Sequence, residues 1–163
     1  MSVDAETWSP SGIWATFHLA GELFAVPVEH VQEVMMPQPL TPVPLAPAHV
    51  VGLINLRGHI VPAVDLRARM RVRPDPGNTP GGVVVIRSGG ELVGLLVDAI
   101  GDVLTLPAAT WRSTPDTLNA QHRVFVFGIC PMAAGRIVLG LRVDTLSGDD
   151  EAGDGEPRGA LHA

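Results

Sequence analysis

The sequence has few of the residues on which many enzymes and disulfide-stabilised folds depend. Its 163 residues include no lysine, no tyrosine and a single cysteine, Cys130, and only 17% of them are charged. One cysteine excludes an internal disulfide, and the lack of lysine excludes a phosphate-binding loop that ends in lysine. No apolar run approaches the roughly 20 residues that span a bilayer, and residues 1–11 lack the pattern of a signal peptide. We therefore expect a cytoplasmic protein without direct membrane insertion.

Side chains suited to catalysis or metal binding are scattered along the chain. No two of the six histidines have the spacing of metal ligands, and no serine lies in a nucleophile elbow. We therefore expect no catalytic residue, no metal and no cofactor. Five of the acidic residues fall within residues 148–163, beside one arginine, so the rest of the chain is nearly neutral. This balance argues against nucleic-acid binding, and the acidic, glycine-rich tail is expected to be disordered.

An internal repeat is the strongest positive feature of the sequence. Residues 15–35 align without a gap with residues 84–104, 69 positions further on, and residues 59–64 align with residues 136–141. Two copies are too few for a solenoid. The repeat predicts two similar subdomains, beginning near residues 13 and 83, that pack side by side.

The hydrophobic pattern predicts many short strands and no long helix. Prolines punctuate residues 37–47, so this segment is expected to connect strands instead of forming one. Short strands with frequent Gly/Pro turns are typical of small barrels or sandwiches. We predict an all-β fold with short helices, in which two five-stranded barrels, one per repeat, share an apolar contact. The predicted strands are residues 13–19, 23–28, 31–35, 50–55, 59–66, 83–86, 92–97, 98–106, 124–130 and 137–143.

Glu33 and Arg57 are candidates for a functional pair. Glu33 interrupts an apolar strand pattern, and Arg57 lies at the tip of a predicted hairpin. Asp102 replaces Glu33 in the second repeat, but the second hairpin has no arginine at its tip. The pair is either an ordinary surface ion pair, worth roughly 0–1 kcal/mol, or a polar element within an apolar docking surface.

Two further patterns bear on binding. Arginines at positions 67, 69, 71 and 73 alternate, and in an extended chain they would line one face. Such a stripe is either a surface for phosphate or an acidic partner or a solvated face. The three tryptophans and four phenylalanines form no cluster in the sequence, which argues against an aromatic groove for proline-rich peptides.

The predicted hairpin resembles the signature of CheW-like proteins, which are coupling adaptors of bacterial chemotaxis. Residues 31–34 and 92–104 resemble further segments of that family, in order, and the resemblance covers residues 12–147 as one CheW-like domain. Residues 1–11 would then be an N-terminal extension. The hairpin reads Gly52-Leu53-Ile54-Asn55-Leu56-Arg57-Gly58-His59-Ile60-Val61-Pro62-Ala63-Val64-Asp65-Leu66.

The resemblance implies two interleaved, SH3-like five-stranded barrels with a shared hydrophobic interior and no catalysis. It implies an adaptor that couples the cytoplasmic tips of chemoreceptors (methyl-accepting chemotaxis proteins) to the regulatory domain of a CheA-type histidine kinase. Other CheW-like domains are further partners, and the receptor is expected to dock in a groove between the barrels. The implied partner-binding residues are Glu33 and Arg57, with Val31, Val34, Asn55 and Gly58 in the same matching segments.

Two alternatives stay open at this point. The chain could serve another chemosensory-type pathway, such as type IV pilus motility or gene regulation, or it could be a peptide-binding β-barrel module. Arg142 stands where the family usually has Asp or Asn, so contacts near the last strand differ from the family pattern. Association with receptor arrays at the inner membrane is expected only for an adaptor of this kind.

Overall fold

The computed structural model describes residues 8–73 and 75–146, so the predicted tail at residues 148–163 lies outside the described residues. Strands are the main secondary structure of this part of the chain, as predicted. Two α-helices of four residues each, α1 (Leu66–Arg69) and α2 (Ala120–Arg123), and a few 3-10 turns join the strands. The strands are β1 (Ile13–Leu19), β2 (Glu22–Pro27), β3 (Val31–Met35), β4 (Val50–Leu56), β5 (His59–Asp65), β6 (Gly82–Ser88), β7 (Glu91–Val97), β8 (Ala99–Thr105), β9 (Val126–Pro131) and β10 (Ile137–Leu141).

The strands form two five-stranded sheets, and each sheet takes strands from both repeats. Sheet I has the order β8-β1-β2-β10-β9, and sheet II has the order β3-β6-β7-β5-β4. The third strand of each repeat pairs with the first strand of the other: Val34 lies opposite Val84, and Ala15 lies opposite Val103. The prediction of one barrel per repeat is therefore wrong. Neither repeat can satisfy the hydrogen bonds of a complete sheet without strands from its copy.

The exchange follows from the short connection between β2 and β3. A single 3-10 turn, Val28–His30, separates the two strands. This turn directs the chain away from sheet I, so β3 becomes an edge strand of sheet II. The hairpin of β4 and β5 then adds to β7 through a parallel pairing of Ala63 with Gly94. The second repeat does the same in sheet I, where Gly140 pairs with Ala25.

A shared hydrophobic core joins the sheets, as predicted. Phe17 and Phe24 of sheet I pack in one buried cluster with Val84 and Leu95 of sheet II. Each sheet also encloses a smaller cluster of its own. The cluster of sheet I is built around Trp14, Trp111, Phe127, Cys130 and Val138, whereas that of sheet II contains Ile54, Leu56, Val61, Val83 and Leu96.

Four aromatic rings meet inside sheet I, contrary to the expectation that the aromatic residues form no cluster. The Trp14 and Trp111 ring centroids are 4.8 Å apart, and those of Trp111 and Phe127 are 4.9 Å apart. Trp8 packs edge-on against the same group, 5.1 Å from Phe127. Trp8 and Trp14 lie far in sequence from Trp111 and Phe127, so only the tertiary structure brings the two pairs together. Because Trp14, Trp111 and Phe127 are buried, the cluster is a packed core and not an open peptide groove.

The arginine stripe that an extended chain would form does not exist, because α1 replaces the extended conformation it needs. Arg67 forms an ion pair with Asp98 at 2.9 Å. Arg69 is buried, donates to the Thr145 carbonyl at 2.8 Å and lies over the Phe125 ring. Arg71 has a φ of 59°, which ends any extended run. The alternating arginines therefore point to different partners and form no common face.

Candidate functional site

The hairpin between β4 and β5 turns within two residues, Arg57 and Gly58. Their φ angles are 51° and 88°, which is the pattern of the type I′ turn that suits the twist of a two-residue hairpin. Glycine adopts this conformation at little steric cost. The Asn55 side-chain oxygen accepts a hydrogen bond from the Gly58 N–H at 2.9 Å and closes the turn. Asn55 and Gly58 therefore have a local structural role, because they shape the turn in which Arg57 is exposed.

Arg57 forms an ion pair with Glu33 across the two edge strands of sheet II. The Arg57 Nη2 atom donates to Glu33 Oε2 at 3.2 Å. Arg57 lies in the turn that follows β4, and β3 and β4 are opposite edges in the strand order, so the long arginine side chain connects the two edges of sheet II. The Glu33 side chain is 22% exposed and that of Arg57 is 76% exposed. The carboxylate is therefore held by the sheet, whereas the guanidinium projects into solvent.

The pair lines an open groove of about 690 Å³ on sheet II. Charges of both signs surround an apolar floor, and the Ile60 side chain within the groove is 62% exposed. The lining residues are Gln32, Glu33, Leu56, Arg57, His59, Ile60, Val61, Pro62, Arg87, Gly90, Glu91 and Leu92. All of them belong to strands of sheet II or the turns between these strands. The groove that holds the pair is thus built by one sheet, and docking of a receptor between the barrels stays a prediction.

The other predicted residues lie apart from the groove. Val34 is 43% exposed and, because side chains alternate along a strand, lies on the opposite face of β3 from Glu33. Val31 is half-buried and packs against the shared core. The structure therefore joins Glu33 with Arg57, and Asn55 with Gly58. Val31 has a packing contact, and Val34 presents a separate apolar surface.

Sequence reasoning missed the contribution of the second repeat to this groove. Arg87, Glu91 and Leu92 come from the β6–β7 hairpin, and Arg87 Nη2 lies 3.4 Å from the Gln32 side-chain oxygen. The signal that could have found them is the match between Glu22 and Glu91 in the two repeats. That match places Glu91 at a turn but does not say which sheet receives it.

The corresponding hairpin of sheet I differs in length and in chemistry. It connects β9 and β10 through five residues, 132–136, and its tip contains Ala134 and Gly135 with φ angles of 64° and 74°. Asp102, the repeat counterpart of Glu33, is exposed, and its backbone carbonyl accepts a hydrogen bond from the Thr16 hydroxyl. An arginine at the tip itself is therefore found in the sheet II hairpin, whereas in sheet I the exposed Arg136 lies at the end of the connection.

A second ion pair, Arg67–Asp98, is more enclosed than Glu33–Arg57. The side chains are 16% and 20% exposed. Asp98 also accepts from the Ala20 N–H at 2.8 Å and from the Asn78 side chain at 3.1 Å. The Arg67 hydrogen bonds lower the pKa of the Asp98 carboxyl, with further lowering from Ala20 and Asn78 that outweighs the effect of burial. The pair connects the β1–β2 turn at Ala20, helix α1 and the loop at Asn78, so its role is structural.

Within residues 8–73 and 75–146, no group of three or more His, Cys, Asp or Glu side chains could hold a metal ion. The same part of the chain contains no helix that is long and apolar enough to cross a membrane. The site's observed features are therefore a hairpin-mounted arginine, its carboxylate partner and an open groove with exposed apolar surface.

Fold and groove together define a double five-stranded β domain with a charged, arginine-bearing groove on sheet II. The model of the CheW-like domain matches residues 14–151. The chain belongs to the CheW-like family.

Named relatives and a solved structure cover most of the chain. It is 33% identical over 135 residues to "Chemotaxis protein CheW" of Rhizobium meliloti, covering 83% of this chain and 86% of that one. It is 27% identical over 124 residues to "Protein PilI" of Pseudomonas aeruginosa, covering 76% and 67%. The crystal structure of the scaffolding protein TtCheW from Thermoanaerobacter tengcongensis matches with a TM-score of 0.73 and 26% identity, over 82% and 90% of the two chains.

Proposed function

We propose that this chain is a non-catalytic adaptor that couples the cytoplasmic tips of chemoreceptors to the regulatory domain of a CheA-type histidine kinase. Family membership over residues 14–151 supports this proposal, as does similarity to a chemotaxis protein and to a scaffolding protein. The observation that carries it is the open groove of sheet II with Arg57 at its rim. We assign partner docking to this groove.

Arg57 is the central docking residue of the proposed site. Arginine has five N–H donors in a fixed planar arrangement, and one of the two Nη groups of Arg57 contacts Glu33. Glu33 thereby orients the guanidinium and leaves further donors for a partner. Arginine is enriched among the residues that dominate binding energy at interfaces. Ile60, exposed in the same groove, supplies apolar area beside the charge.

The adaptor acts in the cytoplasm, associated with receptor arrays at the inner membrane. Its partners are the receptor tip, the kinase regulatory domain and other CheW-like domains. Val34 offers a second contact on the opposite face of β3, where its side chain is exposed. Asn55, Gly58 and Val31 act indirectly, since the first two shape the hairpin and the third anchors β3 on the core.

Replacing Arg57 with alanine tests this assignment. We expect Arg57→Ala to weaken ternary assembly by about 30-fold, the equivalent of about 2 kcal/mol for a dominant interface residue. Thermal stability should change little, because an exposed ion pair contributes less than about 1 kcal/mol. Arg136→Ala is the matched control, since Arg136 is an exposed arginine beside the equivalent hairpin of sheet I. Co-purification with a receptor-tip fragment and a kinase regulatory domain measures the effect.

The possible outcomes of this experiment test the docking site and the adaptor function separately. Normal assembly by Arg57→Ala would show that the groove is not the docking site. Absence of assembly by the unmodified chain with any receptor and kinase pair would overturn the adaptor function itself. Equal losses in Arg57→Ala and Arg136→Ala would indicate a non-specific charge effect.

A second candidate is an adaptor role in another chemosensory-type pathway, such as type IV pilus motility or gene regulation. The similarity to "Protein PilI" favours keeping this candidate, because relatives with two different names match most of the chain. The same co-purification, performed with receptors and kinases of each pathway, decides between them. Peptide binding is disfavoured, because the rings of Trp14, Trp111 and Phe127 are buried.

A further inference from the structure

Residues 8–12 precede the segment matched by the family model, yet they are tied closely to the domain. Trp8 is half-buried and places its ring 5.1 Å from that of Phe127, 6.2 Å from that of Trp111 and 6.3 Å from that of Trp14. The interplanar angles of 60° to 84° are edge-to-face arrangements, which aromatic pairs favour. Trp8 therefore covers one side of the aromatic core of sheet I.

A tight turn follows Trp8 and leads into β1. The Gly12 N–H donates to the Ser9 carbonyl at 3.0 Å. Pro10 occupies the second position of this turn, where its restricted φ is favourable, and Gly12 has a φ of 75°. The Gly12 carbonyl in turn accepts from the Leu106 N–H at 2.8 Å, just beyond β8. Both ends of residues 8–12 are thus attached to sheet I.

The middle of the same segment binds the crossover between the sheets. The Ser9 hydroxyl donates to Glu29 Oε1 at 2.7 Å and accepts from the Ile13 N–H at 3.1 Å. The Ser11 N–H donates to Glu29 Oε2 at 3.0 Å. Glu29 lies in the 3-10 turn Val28–His30, the connection that carries the chain from β2 of sheet I to β3 of sheet II. Both carboxylate oxygens of Glu29 are therefore engaged by residues 8–12.

We propose that residues 8–12 act as a latch, in which Trp8 seals the aromatic core of sheet I while Ser9 and Ser11 hold Glu29 and so restrain the crossover into β3. The latch contacts sheet I through aromatic packing and reaches the start of β3 through hydrogen bonds to the preceding turn. Release of the latch loosens the start of β3, which stays paired with β6, and Glu33 lies four residues beyond Glu29. The inference does not rest on the identity of any docking partner.

The electrostatics of Glu29 are consistent with a closed latch at neutral pH. Glu29 is exposed, but contact with the protein removes some water from its carboxyl, which by itself raises the pKa. The hydrogen bonds from Ser11 and Ser9 together outweigh this effect and lower the pKa to about 2. The carboxylate therefore stays ionised, and its charge strengthens both hydrogen bonds.

Amide hydrogen exchange of the full chain tests the latch without any partner. We expect Glu29→Ala to accelerate exchange by about tenfold at residues 11–14, where the contacts with the carboxylate are lost, and at β3, because the turn that precedes it is then restrained less. Exchange in the β9–β10 hairpin should be unchanged. Glu22→Ala is the matched control, since Glu22 is an exposed glutamate at the start of β2 and makes no contact invoked for the latch. Trp8→Ala should give the same local pattern and should increase acrylamide quenching of the remaining tryptophans.

Three outcomes would overturn the latch. In the first, exchange in Glu29→Ala equals exchange in Glu22→Ala. In the second, acceleration is confined to residues 11–14 and β3 is unchanged. In the third, acceleration is spread equally over both sheets. If Glu29→Ala lowers global stability, Ser9→Ala is the milder variant, because it removes the Ser9 hydroxyl contacts with Glu29 and Ile13 but keeps the hydrogen bond from the Ser11 N–H to Glu29. It must then accelerate exchange at β3 relative to the β9–β10 hairpin, and failure to do so also rejects the proposal.

Discussion

Sheets I and II have equivalent strand orders, but they differ in the side chains that fill their interiors and in the surfaces that they expose. Trp14 of sheet I corresponds to Val83 of sheet II, 69 positions along the repeat, and both are buried. Sheet I packs its interior with aromatic rings, whereas sheet II uses aliphatic side chains and keeps an open, charged groove. The comparison indicates that the duplicated strand pattern is kept in both sheets, whereas the side chains that fill and line each sheet have diverged. One sheet is adapted to dense packing, and the other displays an exposed arginine.

In each sheet, the parallel strand pair places an alanine opposite a glycine. Ala25 pairs with Gly140 in sheet I, and Ala63 pairs with Gly94 in sheet II. A Cβ on Gly140 would lie 2.5 Å from Phe127 Cζ and 2.8 Å from Trp111 Cζ3. A Cβ on Gly94 would lie 3.2 Å from Ile54 Cδ1 and 3.3 Å from Val83 Cγ1, both at side-chain ends. The aromatic sheet therefore has less room to adjust.

The largest predicted effect is the difference between two glycine-to-alanine changes. Gly140→Ala should lower the free energy of unfolding by about 3 kcal/mol, because rigid rings cannot yield to the added methyl group. Gly94→Ala should lower it by less than about 1 kcal/mol, because the neighbouring methyl groups can shift. Urea unfolding midpoints of the two variants measure this difference. Equal losses would mean that the two interiors are packed alike.

A smaller effect is predicted when the two ion pairs are compared. Asp98→Asn should lower the free energy of unfolding by about 2 kcal/mol, since several hydrogen bonds converge on the charged carboxylate. Glu33→Gln should lower it by less than about 1 kcal/mol, because its partner is exposed. The pKa of Asp98 is lowered by folding, so its contribution is present above about pH 4 and is lost as pH falls through the folded value.

Unfolding as a function of pH provides the measurement for the ion pairs. The stability of Asp98→Asn should converge on that of the unmodified chain as pH falls below about 4. A Glu33→Gln loss as large as that of Asp98→Asn would contradict the view that the pair in the groove is available for binding and that the Arg67–Asp98 pair is structural.

The smallest predicted effects distinguish the two hairpins. Gly58→Ala should destabilise the chain by about 1 kcal/mol, because a side chain is strained at the Gly58 φ of 88°. Ala134→Gly in the sheet I hairpin should be neutral or stabilising by up to about 1 kcal/mol, since it relieves strain at a φ of 64°. Thermal unfolding checks both. Stabilisation by Gly58→Ala would contradict the type I′ assignment of the tip.

Much of the secondary structure could be predicted from local pattern. The predicted strand at residues 13–19 coincides with β1, and the predicted turn at Arg57-Gly58 is the observed one. Alternation and turn residues are local signals, so they survive without knowledge of the rest of the fold. The arginine stripe shows the limit of such local signals, because the alternation of arginines was read without knowledge of the rest of the fold. Local alternation of arginines could not reveal that Asp65 caps a helix at residues 66–69.

The candidate site was predictable only in part. Glu33 and Arg57 could be paired because the acidic residue occurs in both repeats, whereas an arginine at the tip of the hairpin occurs only in the first. The groove around them could not be foreseen, because Arg87 and Glu91 arrive from the second repeat. The aromatic cluster was missed because Trp8, Trp14, Trp111 and Phe127 are distant in sequence.

The sequence by itself determined the repeat, the strand positions and the turn that displays Arg57, because these depend on local alternation and on backbone preferences of single residues. Only the tertiary structure decided which strands share a sheet, where the aromatic rings meet and which surface stays open. Two copies of one strand pattern can pair within or across repeats with similar hydrogen bonds. The short turn at Val28–His30 and the packing of both sheets on one shared core select the exchanged arrangement.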